Sequence, residues 1–376
     1  IGGYMPSVCI MTSVHKHNDI RIYHKEAKTL QQAGYLVTIL CTDYEGVDEY
    51  GIKFIKVNIS NKRIKRIIFC TKIFTKLALQ LNCDIYHFHD PELIFAGLNL
   101  KKAGKAVVFD VHEDLPLQIM NKPWIIKAFR KPIAAIANLI EKKTAARFDI
   151  VICTTEIIAK KFKNSIILHN YPKLDEFRDF QSKQTPYLNR NMQVCYVGAI
   201  TEIRGAKHMA KAIEKTNCSL VLAGEFETKQ LMNEITKNSK KIDYKGYLDR
   251  NAVLEVYSKS LAGLLILEPT PSYMESLPIK LFEYMLAGLP VIASNFEYWK
   301  RLIGENCALF VNPAETNEIA SAINFIANNK ERAKKMGENG REIALNRFTF
   351  ESEKKRFLKH YSRLCKGKEN KKEDKH

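Results

Sequence analysis

The chain has 376 residues, carries a formal net charge of +18, and is 46% hydrophobic and 27% charged. A chain of this length fits two domains and buries its cores without disulfide staples. The excess of cations implies an anionic partner: nucleic acid, anionic lipid or a phosphorylated small molecule. No aromatic-basic motif supports nucleic acid. None of the nine cysteines forms a C-x-x-C pair, and several sit inside apolar runs, so buried free thiols are expected in place of a disulfide framework or zinc site. No apolar run has the length of a membrane span and no signal-peptide pattern opens the chain, which sets the expectation of a cytoplasmic protein.

In chain order, "SVCIMTSV" reads as a strand and "DIRIYHKEAKTLQQAG" as a helix ending at Gly34. The strands "YLVTILCTD" and "GIKFIKVNI" follow, then the helix "RIIFCTKIFTKLALQL" and the strand "DIYHFH". A helix opens at Pro91 and stops at Gly104, as proline at N1 and glycine past the end dictate. Next come the strand "AVVFDVH", a helical stretch around 124–147, and the strands "DIVICTT" and "SIILHN". The polar stretch from 173 to 191, with Pro186, reads as a linker. The alternation then restarts with "QVCYVGAI", "CSLVLAG", "KIDYKGY", "LAGLLIL", "LPVIAS" and "CALFVN", helices lying between them. The fold class is therefore α/β: two Rossmann-like, doubly wound domains facing a cleft, the default binding site. The expected boundaries are 1–172, linker 173–191, 192–348, a last helix 349–365 and a disordered, charged tail 366–376.

In open parallel sheets, ligands sit beyond the carboxyl ends of strands. The most specific stretch there is "ESLPIKLFEYMLAGLPVIAS", residues 275–294. A loop enters a helix at Pro278, and the helix ends at Gly288. Lys280 and Glu283 lie one turn apart on a helix that is otherwise nearly all apolar, so both charges need partners. Either they pair with each other, or they serve a ligand. In the second case the amides near Ile279 and the Lys280 ammonium attract a phosphate, and Glu283 accepts from a ribose diol.

This stretch resembles the donor-site signature of glycosyltransferase family 4, a Glu-x7-Glu pair followed by Ala-Gly-x-Pro-Val, with Glu275 and Glu283 in the glutamate positions. The resemblance covers nearly the whole chain and implies the GT-B fold, with the last helix crossing back to the first domain. It implies that Glu275 lies against the donor sugar and Glu283 binds the ribose. The usual Glu-Gly-Phe-Gly lead-in is Glu275-Ser276-Leu277-Pro278 here, a form similar to enzymes of bacterial surface-polysaccharide synthesis. In "VGAITEIRG", Gly198 ends a strand and Arg204 matches the family's basic residue at the diphosphate loop, while its other basic position is Ala199. Gly224 and Glu225 resemble the loop lining the base pocket. His112, in "DVHED", resembles the histidine that reaches the donor sugar, its alternative being a core histidine.

In "HFHDPEL", His87 and His89 share a strand face; with Asp90, His112 and Glu113 they offer a metal set, although the family needs no metal. His15 and Asp19, in "SVHKHNDIR", fill the family's acceptor-side loop, and His89 and Asp90 are placed on that side too. Asp19 reads equally as a helix N-cap. Two basic amphipathic stretches suit anionic lipid or, alternatively, are solvated helix faces. One carries Lys62, Arg63, Lys65, Arg66, Lys72 and Lys76; the other sets Trp124, Ile125, Ile126 and Phe129 among cations.

The resemblance thus implies a retaining, metal-independent hexosyltransferase without a cofactor. Its co-substrate is a nucleotide diphosphate sugar, UDP being the commonest base. Its acceptor is a glycan or a polyprenyl-diphosphate-linked glycan, met at the inner face of the plasma membrane. Other readings on the same fold are a sugar-nucleotide epimerase, a metal-dependent hydrolase and a non-catalytic scaffold subunit.

Overall fold

The computed structural model describes residues 5–59, 63–122, 125–237 and 239–373, with side chains at all of these except 63–68, 121, 181 and 366–373. Residues 1–4, Lys62 and Trp124, and the side chains of Arg63, Lys65 and Arg66, lie outside the described residues. The chain divides into two compact units, Ile1–Asn170 with Glu353–His376, and Tyr171–Ser352.

The first unit holds β1 (Ser7–Met11), β2 (Leu36–Cys41), β3 (Gly46–Val47), β4 (Lys53–Lys56), β5 (Ile85–Phe88), β6 (Ala106–Val111), β7 (Ile150–Cys153) and β8 (Ser165–Ile167). They form one sheet in the order β3-β4-β2-β1-β5-β6-β7-β8. All pairings are parallel except β3 with β4, a two-residue edge hairpin with no apolar run to announce it. Strand alternation gives the sheet two faces. Cys9, Met11, Tyr86, Phe88, Phe109 and Val151 lie in one apolar cluster. The opposite face, at the ends of β5 and β6, carries His87, His89 and Asp110.

The second unit holds β9 (Gln193–Val197), β10 (Ser219–Ala223), β11 (Ile242–Tyr244), β12 (Ala262–Leu265), β13 (Val291–Ser294) and β14 (Ala308–Val311). Their order is β11-β10-β9-β12-β13-β14, all parallel, between two apolar clusters. In both sheets the chain reverses its direction of strand addition once, between β1 and β5 and between β9 and β12. These are the topological switch points where α/β proteins bind ligands.

The stretch expected to be a linker is instead part of the second unit. It forms the short helices Asp175–Arg178 and Phe180–Lys183 and the turn Tyr187–Asn189. Phe177, Phe180 and Tyr187 are buried, so its aromatic residues outweigh its polar composition. The last helix runs Phe350–Glu373, its backbone continuing into the segment expected to be a disordered tail, where lysine and glutamate are good helix formers. From Glu353 onward it belongs to the first unit, and Phe357 and Tyr361 are fully buried.

Candidate active site

In the first unit, the segment after β1 begins with the turn that carries His15 and Asp19. Asp19 caps the next helix, its carboxylate accepting from the amides of Arg21 (2.8 Å) and Ile22 (3.0 Å). That helix starts as a π-helix, Ile20–Ala27, and continues as the α-helix Lys28–Gln32. A π-turn is wider than an α-turn, so residues five apart come into line. Arg21 and Glu26 are five apart, and Arg21 Nε lies 3.1 Å from Glu26 Oε1. The same guanidinium clamps Asp110, Nε to Oδ2 at 3.0 Å and Nη2 to Oδ1 at 3.1 Å.

Around this ion pair stand His87, His89, His112 and Tyr361. Tyr361 Oη lies 2.7 Å from His87 Nδ1, and His89 Nδ1 lies 2.9 Å from His112 Nε2. Burial dominates the electrostatics. It pushes His87 down to about 3, lowers His89 well below its ordinary range, and also lowers His112. Burial, with the nearby Asp110 charge, raises Glu26 far above the carboxylate range. Burial acts against Asp110 too, but the Arg21 charge overcomes it and keeps Asp110 ionised. The cluster therefore holds one cation and one anion among neutral groups. Glu26, His87, His89 and Asp110 lie close enough to hold a metal ion, and the Arg21 guanidinium lies against both acidic groups.

His112 is the member that reaches outward, its side chain 22% exposed, beside the ring of His15 at 5.3 Å. His15 leans on Asp19 (3.3 Å) and Asp90 (3.4 Å) and is 33% exposed. The hydrogen bond to Asp19 is the main cause of a raised His15 pKa; it also holds Asp19 down to about 2 against its burial. Two residues expected on the acceptor side are buried. His89 is fully buried against His112 and Glu26 and presents no atom to an acceptor. Asp90 is spent on the β1 loop, its Oδ2 accepting from Thr12 Oγ1 (2.8 Å) and the Ser13 amide (2.7 Å). Glu113, considered with the metal set, is exposed and bonded to Gln118.

In the second unit, Gly198, Arg204 and Gly205 follow β9, and Gly224 and Glu225 follow β10. A Cβ on Gly224, whose φ is +135°, would lie 1.9 Å from the Gly198 carbonyl oxygen. A Cβ on Gly205 (φ +72°) would lie 2.0 Å from Ile266 O. Both loops are therefore built on backbone packed too closely for any side chain. Arg204 is half-buried between Tyr196 and Tyr273, its Nε 3.3 Å from Tyr273 Oη. Glu225 is exposed, while its carbonyl accepts from the Ile200 amide.

After β12, Glu275 ends the short helix Pro271–Met274 and is exposed. Trp299 Nε1 fixes the next carbonyl, that of Ser276, at 2.8 Å. The helix Ile279–Leu286 starts at Pro278 with no side-chain cap, which leaves its first amides to a ligand or water. Lys280 and Glu283 do pair with each other, at 2.8 Å. Glu283 is 2% exposed and also accepts from Arg250 (2.9 Å) and Tyr257 (3.0 Å). Burial works against its charge, but Lys280 and Arg250 overcome it and lower its pKa to about 2. Glu283 is thus a buried anionic hub whose oxygens are taken by Lys280, Arg250 and Tyr257. The cations it holds, Lys280 at 24% and Arg250 at 28%, still reach solvent.

Arg21, Glu26, Tyr361, Arg250 and Tyr257 complete these two clusters, and none of them is marked by a motif. The one signal available is the placement of Arg21 and Glu26 in a helix whose α-helical period gives them no common face.

Two units with parallel sheets, each with functional groups gathered at its switch point, are the build of a GT-B glycosyltransferase. The chain matches the family model "Glycosyltransferase Family 4" over residues 21–168 and "Glycosyl transferases group 1" over residues 177–343. It is 22% identical over 294 residues to an MMP alpha-(1->4)-mannosyltransferase of Mycolicibacterium hassiacum, covering 70% of this chain and 67% of the relative. It is similar in structure to sucrose-phosphate synthase of Thermosynechococcus elongatus, with a TM-score of 0.77 at 18% identity, over 96% of this chain and 100% of that one. It is also similar to Anabaena HepE in complex with UDP-glucose, with a TM-score of 0.70 at 13% identity, over 95% of this chain and 99% of that one. The chain is a glycosyltransferase and belongs to glycosyltransferase family 4.

Proposed function

We propose that this glycosyltransferase moves a hexose, with retention of anomeric configuration, from a nucleotide diphosphate sugar to a hydroxyl of a glycan or lipid-linked acceptor in surface-polysaccharide synthesis. The observations that carry the reading are partly exposed cations in the second unit, Lys280 and Arg250 on Glu283 and Arg204 beside Gly198, together with a helix start that has no side-chain cap. Cations and unpaired amides on a glycine-lined loop suit a diphosphate. HepE is described with UDP-glucose, which supports a UDP-sugar here.

The donor's ribose takes the place of Lys280 on Glu283 Oε2, freeing the ammonium for the diphosphate. Arg204 and the amides near Ile279 hold the same group, Glu275 takes the sugar hydroxyls, and His112 contacts the donor sugar. Gly224 and Glu225 line the base. Stabilising the leaving diphosphate is the main source of catalysis, and these cations supply its counter-charge without a metal or cofactor. No residue stands out as a covalent nucleophile, so the acceptor hydroxyl attacks on the face the diphosphate leaves. The acceptor is met at the inner face of the plasma membrane, with His15 and Asp19 on its side.

A thermal-shift series across nucleotide sugars tests the donor: a rise with one nucleoside diphosphate sugar supports the reading, and no rise with any removes it. Anomeric analysis of the product then tests retention. Free sugar formed equally well without acceptor would move the chain to the epimerase class.

A further inference from the structure

The helix Lys127–Ala145 is turned the wrong way round for a water-soluble protein. It buries a stripe of small and polar residues, Ala134, Glu141, Thr144 and Ala145. Its large apolar side chains face outward: Phe129 is 57% exposed, Ile133 41%, Ile136 60%, Leu139 54% and Ile140 38%. Positions 129, 133, 136 and 140 fall on one helical stripe, and Ile126, at the N-cap, adds a side chain 69% exposed. Single exposed apolar residues are ordinary, but a continuous stripe marks a surface that something covers.

The charges beside the stripe say what covers it. Lys127, Lys131, Lys142 and Lys143 are exposed, with no ion-pair partner among the described residues. The helix's one acid, Glu141, is turned inward and buried. An apolar stripe flanked by unopposed cations is complementary to a surface with an apolar interior and an anionic rim, which is the chemistry of an acidic bilayer. A second copy of the chain would bring cations against cations. We infer that this helix lies in the plane of an anionic lipid surface, its isoleucine stripe among the acyl chains and its lysines at the headgroups. This deepens the proposal of a lipid-linked acceptor, but docking can be read without any transfer.

The test is co-sedimentation of the full chain with vesicles. Binding is expected to vesicles of equal phosphatidylglycerol and phosphatidylcholine, to weaken with salt, and to be lost on phosphatidylcholine alone. Combining Phe129→Ser, Ile133→Ser and Ile136→Ser should weaken it roughly tenfold or more. Lys131→Gln and Lys142→Gln should each weaken it roughly fivefold. All these side chains are exposed, so thermal midpoint and nucleotide response should stay as in the parent; those two readouts report on the donor reading separately. Unchanged vesicle binding in the triple variant would overturn the inference. So would equal binding to neutral vesicles, or a lipid-free dimer that the same triple variant dissolves.

Discussion

The two switch points treat buried charge in opposite ways. In the first unit Arg21 is 4% exposed and spends its donors on Asp110 and Glu26, so the cluster is closed upon itself. In the second unit the buried member is an anion, Glu283, and the cations around it remain a quarter exposed. A closed cluster fixes geometry: it holds the rings of His89 and His112 in one arrangement. An open one leaves its cations within reach of solvent, Arg250 shared between Glu283 and Glu176 and Lys280 resting on Glu283. The first is therefore scaffold with one outward histidine, and the second is the surface proposed to meet the diphosphate.

The comparison breaks most readily at Arg21. Arg21→Met leaves Asp110 buried without its cation and should cost about 3–5 kcal/mol in chemical denaturation. A loss below about 1 kcal/mol would mean the cluster is hydrated and not closed.

Next in size is a contrast between two buried carboxyls. Glu141 has no hydrogen-bond partner among the described residues, and burial pushes it up to about 7 from 4.5. Folded Glu141 keeps a proton that the unfolded chain releases between about pH 4.5 and about 7, so stability falls as pH rises through that window. Glu141→Gln should remove the fall and stabilise the chain at pH 8 by up to about 3 kcal/mol. Glu283, lowered to about 2, has the opposite sign: its contribution is present above pH 4.5 and is lost as pH falls toward 2. Thermal melts of both glutamine variants from pH 2 to 8 separate the two; parallel curves would refute the contrast.

On activity, His112→Ala should lower turnover roughly 100-fold while leaving nucleotide affinity unchanged, as expected of a group that acts on the reacting sugar. Equal losses in both would make His112 a folding residue. The smallest expected effect is at Lys280: Lys280→Ala should weaken nucleoside diphosphate binding by about tenfold, the worth of one charge-assisted hydrogen bond. Lys280→Arg should restore part of it. Titration calorimetry reads both variants.

Much of this was legible in the sequence because strands buried on both faces are written as apolar runs, and because chemistry collects at their carboxyl ends. The loops at His15, His89, His112, Gly198, Gly224 and Glu275 all follow strands, as that rule requires. What stayed hidden has a common cause. Glu283 is joined to Arg250 and Tyr257 from 33 and 26 residues away, and Tyr361 reaches His87 across 274 residues. A lone polar residue on a helix does not say which distant partner it meets. The Arg21–Glu26 contact also depends on a π-turn, which alters the period by which faces are read.

The seating of Tyr361 on His87 has a consequence for how the chain is made. The first unit is assembled from two stretches that flank the second in sequence, Ile1–Asn170 and Glu353–His376. During synthesis the whole of the second unit leaves the ribosome before the piece that covers the histidine cluster does. Nascent chains halted before Glu353 should carry an unfinished amino-terminal half beside a folded Tyr171–Ser352 half, the reverse of the usual vectorial order.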